Sequence, residues 1–202
     1  MEVETPLLHA LAGGAIARPF ATHQHALDIE LYLRIAPELY LKRLLIGGFS
    51  KIYEIGRNFR NEGIDSEHNP EFTSLELYEA YANSETHHAF LESIFGRLVR
   101  AIVKSAEIRY QGADIKFGKK FETLTFSEGL SRYAAIPDYT AVSAREIEAM
   151  ARESGIEIEK GDTKGKIADK IFKKLCAPKI IQPTFVLNYP LEILPLAKES
   201  AE

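Results

Sequence analysis

The chain has 202 residues, of which 46% are hydrophobic and 27% charged, as is ordinary for a globular protein with a sizeable core. Its formal net charge of −4 argues against a general affinity for nucleic acid, and no apolar run has the length of a membrane span. The single Cys176 excludes an internal disulfide, and the first residues do not resemble a signal peptide. We therefore expect a cytoplasmic protein.

Regular elements are predicted along the first half of the chain. "MEVETPLL" has the character of a strand followed by a turn, and "HALAGGAIARPFAT" that of a loop. "LDIELYLR" alternates like a strand. "APELYLKRLLIGG" predicts a helix, with Pro37 in the first turn and glycines at its end.

A hairpin and a long helix follow. "KIYEIGRNFRNE" and "EFTSLELYEAYA" predict two strands joined by a loop that contains Gly63 and Pro70. From about Glu85, apolar residues recur at helical spacing.

The second half predicts shorter elements. Gly112 lies at the centre of a predicted hairpin, and "FETLTFSEGLSRYA" predicts a strand followed by a short helix. "SAREIEAMARESG" opens with a capping box and predicts a second helix, and "TKGKIADKIFKKLC" predicts a third. "QPTFVLNYPLEILPLAK" returns to strand.

This order of elements predicts an α+β fold, in which helices flank an antiparallel sheet. We expect a core formed by residues 1–126 and 179–202. A helical insertion is expected at residues 127–178.

Side chains alternate along a strand, so the hairpin is predicted to have one polar face. On the opposite face, apolar side chains such as Tyr53, Ile55, Phe59, Leu75 and Leu77 predict core. The polar face is expected to collect these side chains: Glu54, Asn58, Arg60, Glu62, Phe72, Glu76 and Tyr78.

That polar face predicts a nucleotide site. The Arg60 guanidinium suits phosphate or carboxylate, and the Phe72 ring can stack on a purine. Glu62 can accept a hydrogen bond from an exocyclic amine, and His68 in the loop can reach an outer phosphate. A cationic group can be held by Glu76 and Tyr78. The alternative is a solvated face with cross-strand ion pairs.

"FRNEGIDSEHNPEF" resembles the second signature motif of class II aminoacyl-tRNA synthetases, which is Phe-Arg-x-Glu, a loop, His or Arg, and a closing Phe. "VETPLL", "GGAIARPF", "LYLRIAPELYLKRLLIGGF" and "QPTFVLNYP" extend the resemblance to the bacterial lysyl-tRNA synthetase family. It covers most of residues 2–110 and returns at about 182–198.

The resemblance implies ATP-dependent activation of lysine to lysyl-adenylate, followed by transfer to tRNA(Lys), with magnesium ions on the phosphates. Arg60 is then the main catalytic residue and contacts both the α-phosphate and the amino-acid carboxylate. The residues implied for ATP are Arg60, Glu62, His68 and Phe72. Those implied for lysine are Gly14, Glu38, Arg60, Glu76 and Tyr78.

The resemblance is incomplete. The sequence lacks the first-motif helix that builds the dimer interface in this family, the third motif and the anticodon-binding barrel. Ser74 stands where the family often has Met. We therefore expect a partial catalytic core with little or no aminoacylation activity by itself, and dimerisation stays open.

Two other functions stay open as well. One is a related ligase that attaches lysine-type amino acids to a translation elongation factor. The other is a non-catalytic synthetase paralogue that acts as an interaction module. No metal-ligating residues are predicted, because His23 and His25 lack a nearby third ligand and resemble a solvated loop pair.

Overall fold

A computed structural model describes residues 1–65, 68–194 and 197–199. It confirms an α+β chain of helices and small sheets. Contacts divide the chain into two units, Met1–Asn83 and Ser84–Glu202. The predicted division into a core and a helical insertion at residues 127–178 stays a prediction, and residues 195, 196 and 200–202 of its C-terminal part lie outside the described residues.

The first unit contains two antiparallel sheets and one helix. The strands β1, β2 and β3 form a sheet in the order β1-β3-β2, and β4 pairs with β5. The elements of this unit are β1 (Leu8–His9), β2 (Ala21–Gln24), β3 (Ile29–Leu33), α1 (Glu38–Ile46), β4 (Lys51–Phe59) and β5 (Glu71–Glu79).

Helix α1 begins and ends where the sequence predicts. Pro37 occupies the N-cap position and Glu38 lies in the first turn, where a negative charge favours the helix dipole. Gly47 ends the helix, and Leu41 is fully buried. The helix is therefore anchored through its buried face, with Glu38 placed at its N-terminus.

The hairpin β4–β5 is the longest pairing in this unit. Each strand has nine residues, and the register joins Lys51 to Glu79 at one end and Phe59 to Glu71 at the other. The predicted N-terminal strand is present only as a parallel bridge between Glu2 and Tyr53. The start of the chain is thereby attached to β4.

The second unit is built mainly from helices and short strand pairs. The helices α3, α4 and α5 lie between β8 and β9 in the chain. The elements of this unit are α2 (Ser84–Val103), β6 (Glu107–Tyr110), β7 (Ala113–Lys116), β8 (Glu122–Thr125), α3 (Phe126–Ala134), α4 (Ala144–Glu153), α5 (Lys164–Ile171) and β9 (Thr184–Leu187).

One strand pair differs from the predicted antiparallel sheet. Strands β6 and β7 form the expected hairpin, but β8 and β9 pair in parallel. Parallel pairing needs a long crossover to bring the chain back to the same end of the sheet. The helical segment between Phe126 and Ile171 is part of that crossover, and its length made the parallel arrangement possible.

Two predicted elements are shorter than expected. The helix predicted to reach Cys176 is α-helical only to Ile171 and continues as a π-helical turn over Phe172–Cys176. The predicted C-terminal strand is limited to β9, because Asn188 adopts a positive φ of 55° and Pro190 follows. The part of this strand prediction at residues 195 and 196 lies outside the described residues.

The helices of the second unit pack around an apolar core. Ser143 and Glu146 form the predicted capping box of α4, and Thr125 and Glu128 form a second one at α3. The fully or nearly fully buried core side chains are Phe126, Leu130, Ile136, Ile147, Ala151, Ile167, Ala168, Ile171, Phe172 and Cys176.

Within the described part of the chain, none of the helices combines the length and the apolar character that a membrane crossing requires.

Candidate functional site

The end of the hairpin and its loop form a cavity of about 270 Å³. It opens between the last residues of β4 and the first residues of β5. The side chains that line it include the four predicted for ATP, and the lining residues are Arg60, Glu62, Gly63, His68, Asn69 and Phe72. The structure therefore brings together the guanidinium, the carboxylate, the imidazole and the aromatic ring at one place.

Arg60 and Phe72 point to the same side of the hairpin. The Arg60 guanidinium carbon lies 5.0 Å from the centroid of the Phe72 ring, a cation–π contact. The Arg60 amide donates to the Pro70 carbonyl at 2.8 Å, which closes the loop. Arg60 Nε is buried and has no hydrogen-bond partner among the described residues. The guanidinium therefore retains a donor that a ligand could use.

Asp65 orients His68 in the loop. The His68 amide donates to Asp65 Oδ1 at 2.8 Å, and the imidazole Nδ1 lies 2.8 Å from the same oxygen. An aspartate that binds a backbone amide three residues later forms a local turn. The side chain of His68 is thus held at the rim of the cavity, while Ser66 and Glu67 lie outside the described residues.

The strand register confirms which side chains share the polar face, but the opposite face is not the predicted core, because Ile55 is 56% exposed and Leu75 is 51% exposed. Asn58 lies opposite Phe72, and Glu54 lies opposite Glu76, so these side chains share one side of the hairpin. Glu54 is 3% exposed and Asn58 is 1% exposed. A face that buries a carboxylate and an amide differs from the solvated face that the composition also allowed.

The buried Glu54 is paired with Arg34, a residue that the sequence did not single out. Arg34 Nη1 forms an ion pair with Glu54 Oε1, and both side chains are almost completely buried. Thr5 adds a bond from its hydroxyl to Glu54 Oε2 at 2.7 Å. Arg34 Nε donates to the Arg57 carbonyl at 2.8 Å. The one available signal was a charged residue after the apolar run of β3.

Glu76 and Tyr78, two of the residues predicted for lysine, form a hydrogen-bonded pair. The Tyr78 hydroxyl donates to Glu76 Oε2 at 3.1 Å. Burial raises the pKa of the Glu76 carboxyl, and the charge of Glu38 adds to the increase, while the bond from Tyr78 opposes it. Burial and the neighbouring carboxylates Glu76 and Glu38 raise the pKa of Tyr78. Glu76 and Tyr78 therefore form a partly buried acidic pair.

Gly14 and Glu38, the other residues predicted for lysine, are close together. A Cβ at Gly14 would lie 3.3 Å from Glu38 Cβ and 3.2 Å from Ala36 Cβ. Gly14 also has a φ of +91°, which favours glycine. Glu38 bonds Lys42 one turn later. The close approach brings the glycine-rich loop against the start of α1.

Asn58 is a second residue of the face to which the sequence assigned no role. Its side-chain nitrogen donates to Ser74 Oγ at 2.6 Å. Its Oδ1 is buried without a hydrogen-bond partner among the described residues. Alternation placed Asn58 on the correct face, but burial and the Ser74 contact depend on the pairing of two strands.

The described residues contain no cluster of three or more His, Cys, Asp or Glu side chains that could hold a metal ion. His23 lies 3.2 Å from Asp28, and its ring centroid is 5.2 Å from that of His25.

Comparison with known proteins identifies related sequences. A family model described as "tRNA synthetases class II (D, K and N)" matches residues 1–202. A Lysine--tRNA ligase of Pelotomaculum thermopropionicum is 48% identical over 205 aligned positions, which cover all of this chain and 40% of that protein. The Lysine--tRNA ligase of Escherichia coli (strain K12) is 47% identical over 201 residues, covering 99% of this chain and 40% of the relative.

A third relative gives the same result. The Lysine--tRNA ligase of Carboxydothermus hydrogenoformans is 46% identical over 202 residues, covering all of this chain and 41% of that protein. The chain thus spans about 40% of the length of the curated relatives that it matches.

Proposed function

Because this chain belongs to the class II tRNA synthetases of the D, K and N group, we propose that it forms the part of a lysine–tRNA ligase catalytic core that binds ATP and lysine. The observation that carries this proposal is the shared face of the β4–β5 hairpin. A cavity of about 270 Å³ lined by the Arg60 guanidinium lies at one end of that face, and the acidic pair Glu76–Tyr78 lies along it.

The cavity suits ATP. Phe72 stacks on the adenine ring, and Glu62 accepts a hydrogen bond from the exocyclic amine. Arg60 binds the α-phosphate through its guanidinium, which lines the cavity. His68, held by Asp65, faces the outer phosphates. These roles follow from the family resemblance, and the position of each side chain around the cavity supports them.

The acidic pair Glu76–Tyr78, with Glu38 nearby, suits a cationic amino acid. Glu76 and Tyr78 meet the ε-ammonium group of lysine, while Glu38 and the backbone at Gly14 meet the α-ammonium group. The raised pKa of Glu76 is the expected response of a partly buried carboxyl beside another carboxylate, and an ammonium ligand favours its charged form. An aspartate side chain would meet repulsion here, so the acidic pair favours lysine within a family that also includes the D and N enzymes.

The reaction needs positioning and charge stabilisation. A lysine carboxylate oxygen attacks the α-phosphorus, the bond from that phosphorus to the bridging oxygen breaks, and pyrophosphate leaves. Arg60 lies where it can hold both the carboxylate and the α-phosphate and stabilise the charge on the phosphate oxygens. A terminal ribose hydroxyl of tRNA(Lys) then attacks the carbonyl carbon of the adenylate, the bond to the phosphate oxygen breaks, and AMP leaves.

Magnesium ions accompany ATP in this family, where they neutralise the phosphates. Such ions would bind mainly through the phosphates of ATP, and the roles given above belong to this chain's own side chains.

The remaining features of the family are part of the same proposal. They comprise tRNA(Lys) as a partner of the whole protein, a homodimer, a cytoplasmic location and the insertion at residues 127–178. The helices α3, α4 and α5 between two paired strands support such an insertion. The elongation-factor ligase and the non-catalytic paralogue are the competing proposals.

Binding of lysine and ATP to the 202-residue chain tests the function. Calorimetry with ATP, lysine and a non-hydrolysable lysyl-adenylate analogue should detect each ligand, with aspartate as the negative control. Arg60→Ala should weaken binding of the analogue about a hundredfold, as loss of a charged hydrogen-bonding group does. Arg57→Ala is the matched control, because Arg57 lies on β4 close to Arg60 in the chain but pairs with the exposed Glu71.

Three outcomes separate the proposals. Binding that is lost in Arg60→Ala and kept in Arg57→Ala supports the ligase core. A chain that binds neither ATP nor lysine favours the interaction module. Lysine-dependent ATP–pyrophosphate exchange should be very low for the isolated chain, and robust turnover would refute the expectation that this part of the core is insufficient.

A further inference from the structure

Two carboxylates lie directly opposite each other in the hairpin. The register pairs Glu54 with Glu76, and both lie on the face that carries the proposed site. Like charges at directly opposite positions destabilise a strand pair, and more so when they are buried. A positive charge is therefore needed near this position to compensate the two carboxylates.

Arg34 supplies that charge from the end of β3. Its guanidinium pairs with Glu54 and extends across β4 at Gly56, the next residue on the same face. A Cβ at Gly56 would collide with Arg34 Nη2 and lie 3.4 Å from Arg34 Cζ. The missing side chain thus provides the space that the guanidinium fills. Thr5 and the Arg57 carbonyl complete its environment.

These contacts give the two carboxylates different roles. Glu54 accepts bonds from Arg34 and Thr5, is 3% exposed, and is occupied by the protein itself. Glu76 is only partly buried and accepts a bond from the neutral Tyr78 hydroxyl. We propose that Arg34 is a positioning residue that engages Glu54 and thereby leaves Glu76 as the carboxylate available to a ligand ammonium group. This inference rests on the proposed function for its ligand, lysine.

Charges from several elements act on Glu76. Tyr78 lies on its own strand, Glu38 on α1, Glu54 on β4 and Arg34 at the end of β3. After burial and the bond from Tyr78, Glu38 raises the pKa of Glu76, Arg34 lowers it and Glu54 raises it. Both members of the Arg34–Glu54 pair therefore affect the pKa of Glu76.

Two substitutions should change the pKa of Glu76 in opposite directions. Arg34→Met removes the positive charge and leaves Glu54 unpaired, so the pKa of Glu76 should rise. Glu54→Gln preserves the shape and the bonds to Arg34 but leaves its charge uncompensated, so the pKa of Glu76 should fall. A purely structural role would instead weaken folding in both variants without this change of sign.

The measurement is a carboxyl-carbon NMR titration of Glu76 in the folded 202-residue chain, with Glu76→Gln to identify the signal. Calorimetry of lysine across the same pH range provides a second readout. If Arg34→Met folds, the pH at which lysine binding is lost on acidification should move upward together with the pKa of Glu76, because the ammonium group binds the ionised carboxylate. Arg34→Lys should keep part of the effect, because it preserves the charge but loses the guanidinium fork.

The outcomes are decisive even if one variant does not fold. Should Arg34→Met unfold, the direction of the shift in Glu54→Gln decides, and an unchanged or raised pKa of Glu76 overturns the inference. Opposite shifts in a chain that does not bind lysine would support the role of Arg34 at Glu76 and contradict the proposed function. If both variants bind lysine and the pKa of Glu76 is unchanged in both, the proposed function would be supported and the role of Arg34 at Glu76 would be contradicted.

Discussion

The hairpin of the first unit and the helical core of the second unit bury very different side chains. The hairpin buries the charged or polar Arg34, Glu54 and Asn58, with a direct ion pair at its centre. The helical core is lined by side chains such as Phe126 and Leu130, which are almost completely buried and apolar. Each region is stable for a different reason.

Apolar burial is favourable by itself, whereas a buried charge is tolerated only with a partner. A region that retains buried charges beside an open cavity is therefore a stronger candidate for binding than a region that is merely well packed. We locate the function in the hairpin on that basis and regard the helical core as structural support. The following predictions test this division, from the largest expected effect on stability to the smallest.

Truncation of the central aromatic residue should have the largest effect. The Phe126 ring lies 5.0 Å from both Phe172 and Tyr189, and the side chain is 1% exposed. Phe126→Ala should lower the free energy of unfolding by about 4 kcal/mol through the lost burial and the cavity left behind. Urea unfolding measures the change, and Ile102→Ala is the control at a position that is 69% exposed.

An equal loss in both of these variants would show that the helical core is not as well packed as its burial indicates. A small loss in Phe126→Ala alone would mean that the neighbouring rings can close the cavity.

A methyl group at Gly56 should have an intermediate effect on the hairpin. It would collide with Arg34 Nη2, and displacement of the guanidinium would weaken its pair with Glu54. Gly56→Ala should cost about 2 kcal/mol, in the range seen for overpacked cores. Thermal unfolding measures it. Gly63→Ala is the matched control, because a Cβ there meets no described residue within 4 Å and its φ is not positive.

If Gly56→Ala and Gly63→Ala have the same melting temperature, the position of the Arg34 guanidinium does not depend on the space at Gly56. The comparison between the hairpin and the helical core would then lose its main geometric support.

The smallest effect should come from the capping box of α4 in acid. Hydrogen bonds from Ser143 lower the pKa of Glu146 below its ordinary value of 4.5. The charged form therefore stabilises the fold above pH 4.5, and this contribution is lost as the pH falls through the lower folded-state value. Glu146→Gln should remove that part of the acid sensitivity. Melting temperatures at pH 3 and pH 6 measure it, and identical pH responses would contradict the prediction.

Much of this fold could be predicted from local patterns. The alternation in β4 and β5, the capping box at Ser143 and the glycines after α1 each depend on residues a few positions apart. The face that joins Arg60 to Phe72 followed from the same alternation, because successive side chains of a strand point to opposite sides. The role of each residue came from the family resemblance, and those roles remain proposals.

The parallel pairing of β8 with β9 and the burial of Arg34 could not be predicted in this way. Both depend on segments far apart in the chain: β9 returns after three helices, and Arg34 meets Glu54 across two different strands. The sequence does not distinguish a charged residue near a strand end that faces water from one that pairs with a buried carboxylate.

The sequence by itself determined where most helices and strands begin and which side chains share a face, because backbone geometry repeats over a few residues. Only the tertiary structure decided that Glu54 is paired with the Arg34 guanidinium, that Asn58 is buried, and that Gly56 provides room for that guanidinium. Which side chains contact each other depends on the distances between segments that are far apart in the chain, and folding sets those distances.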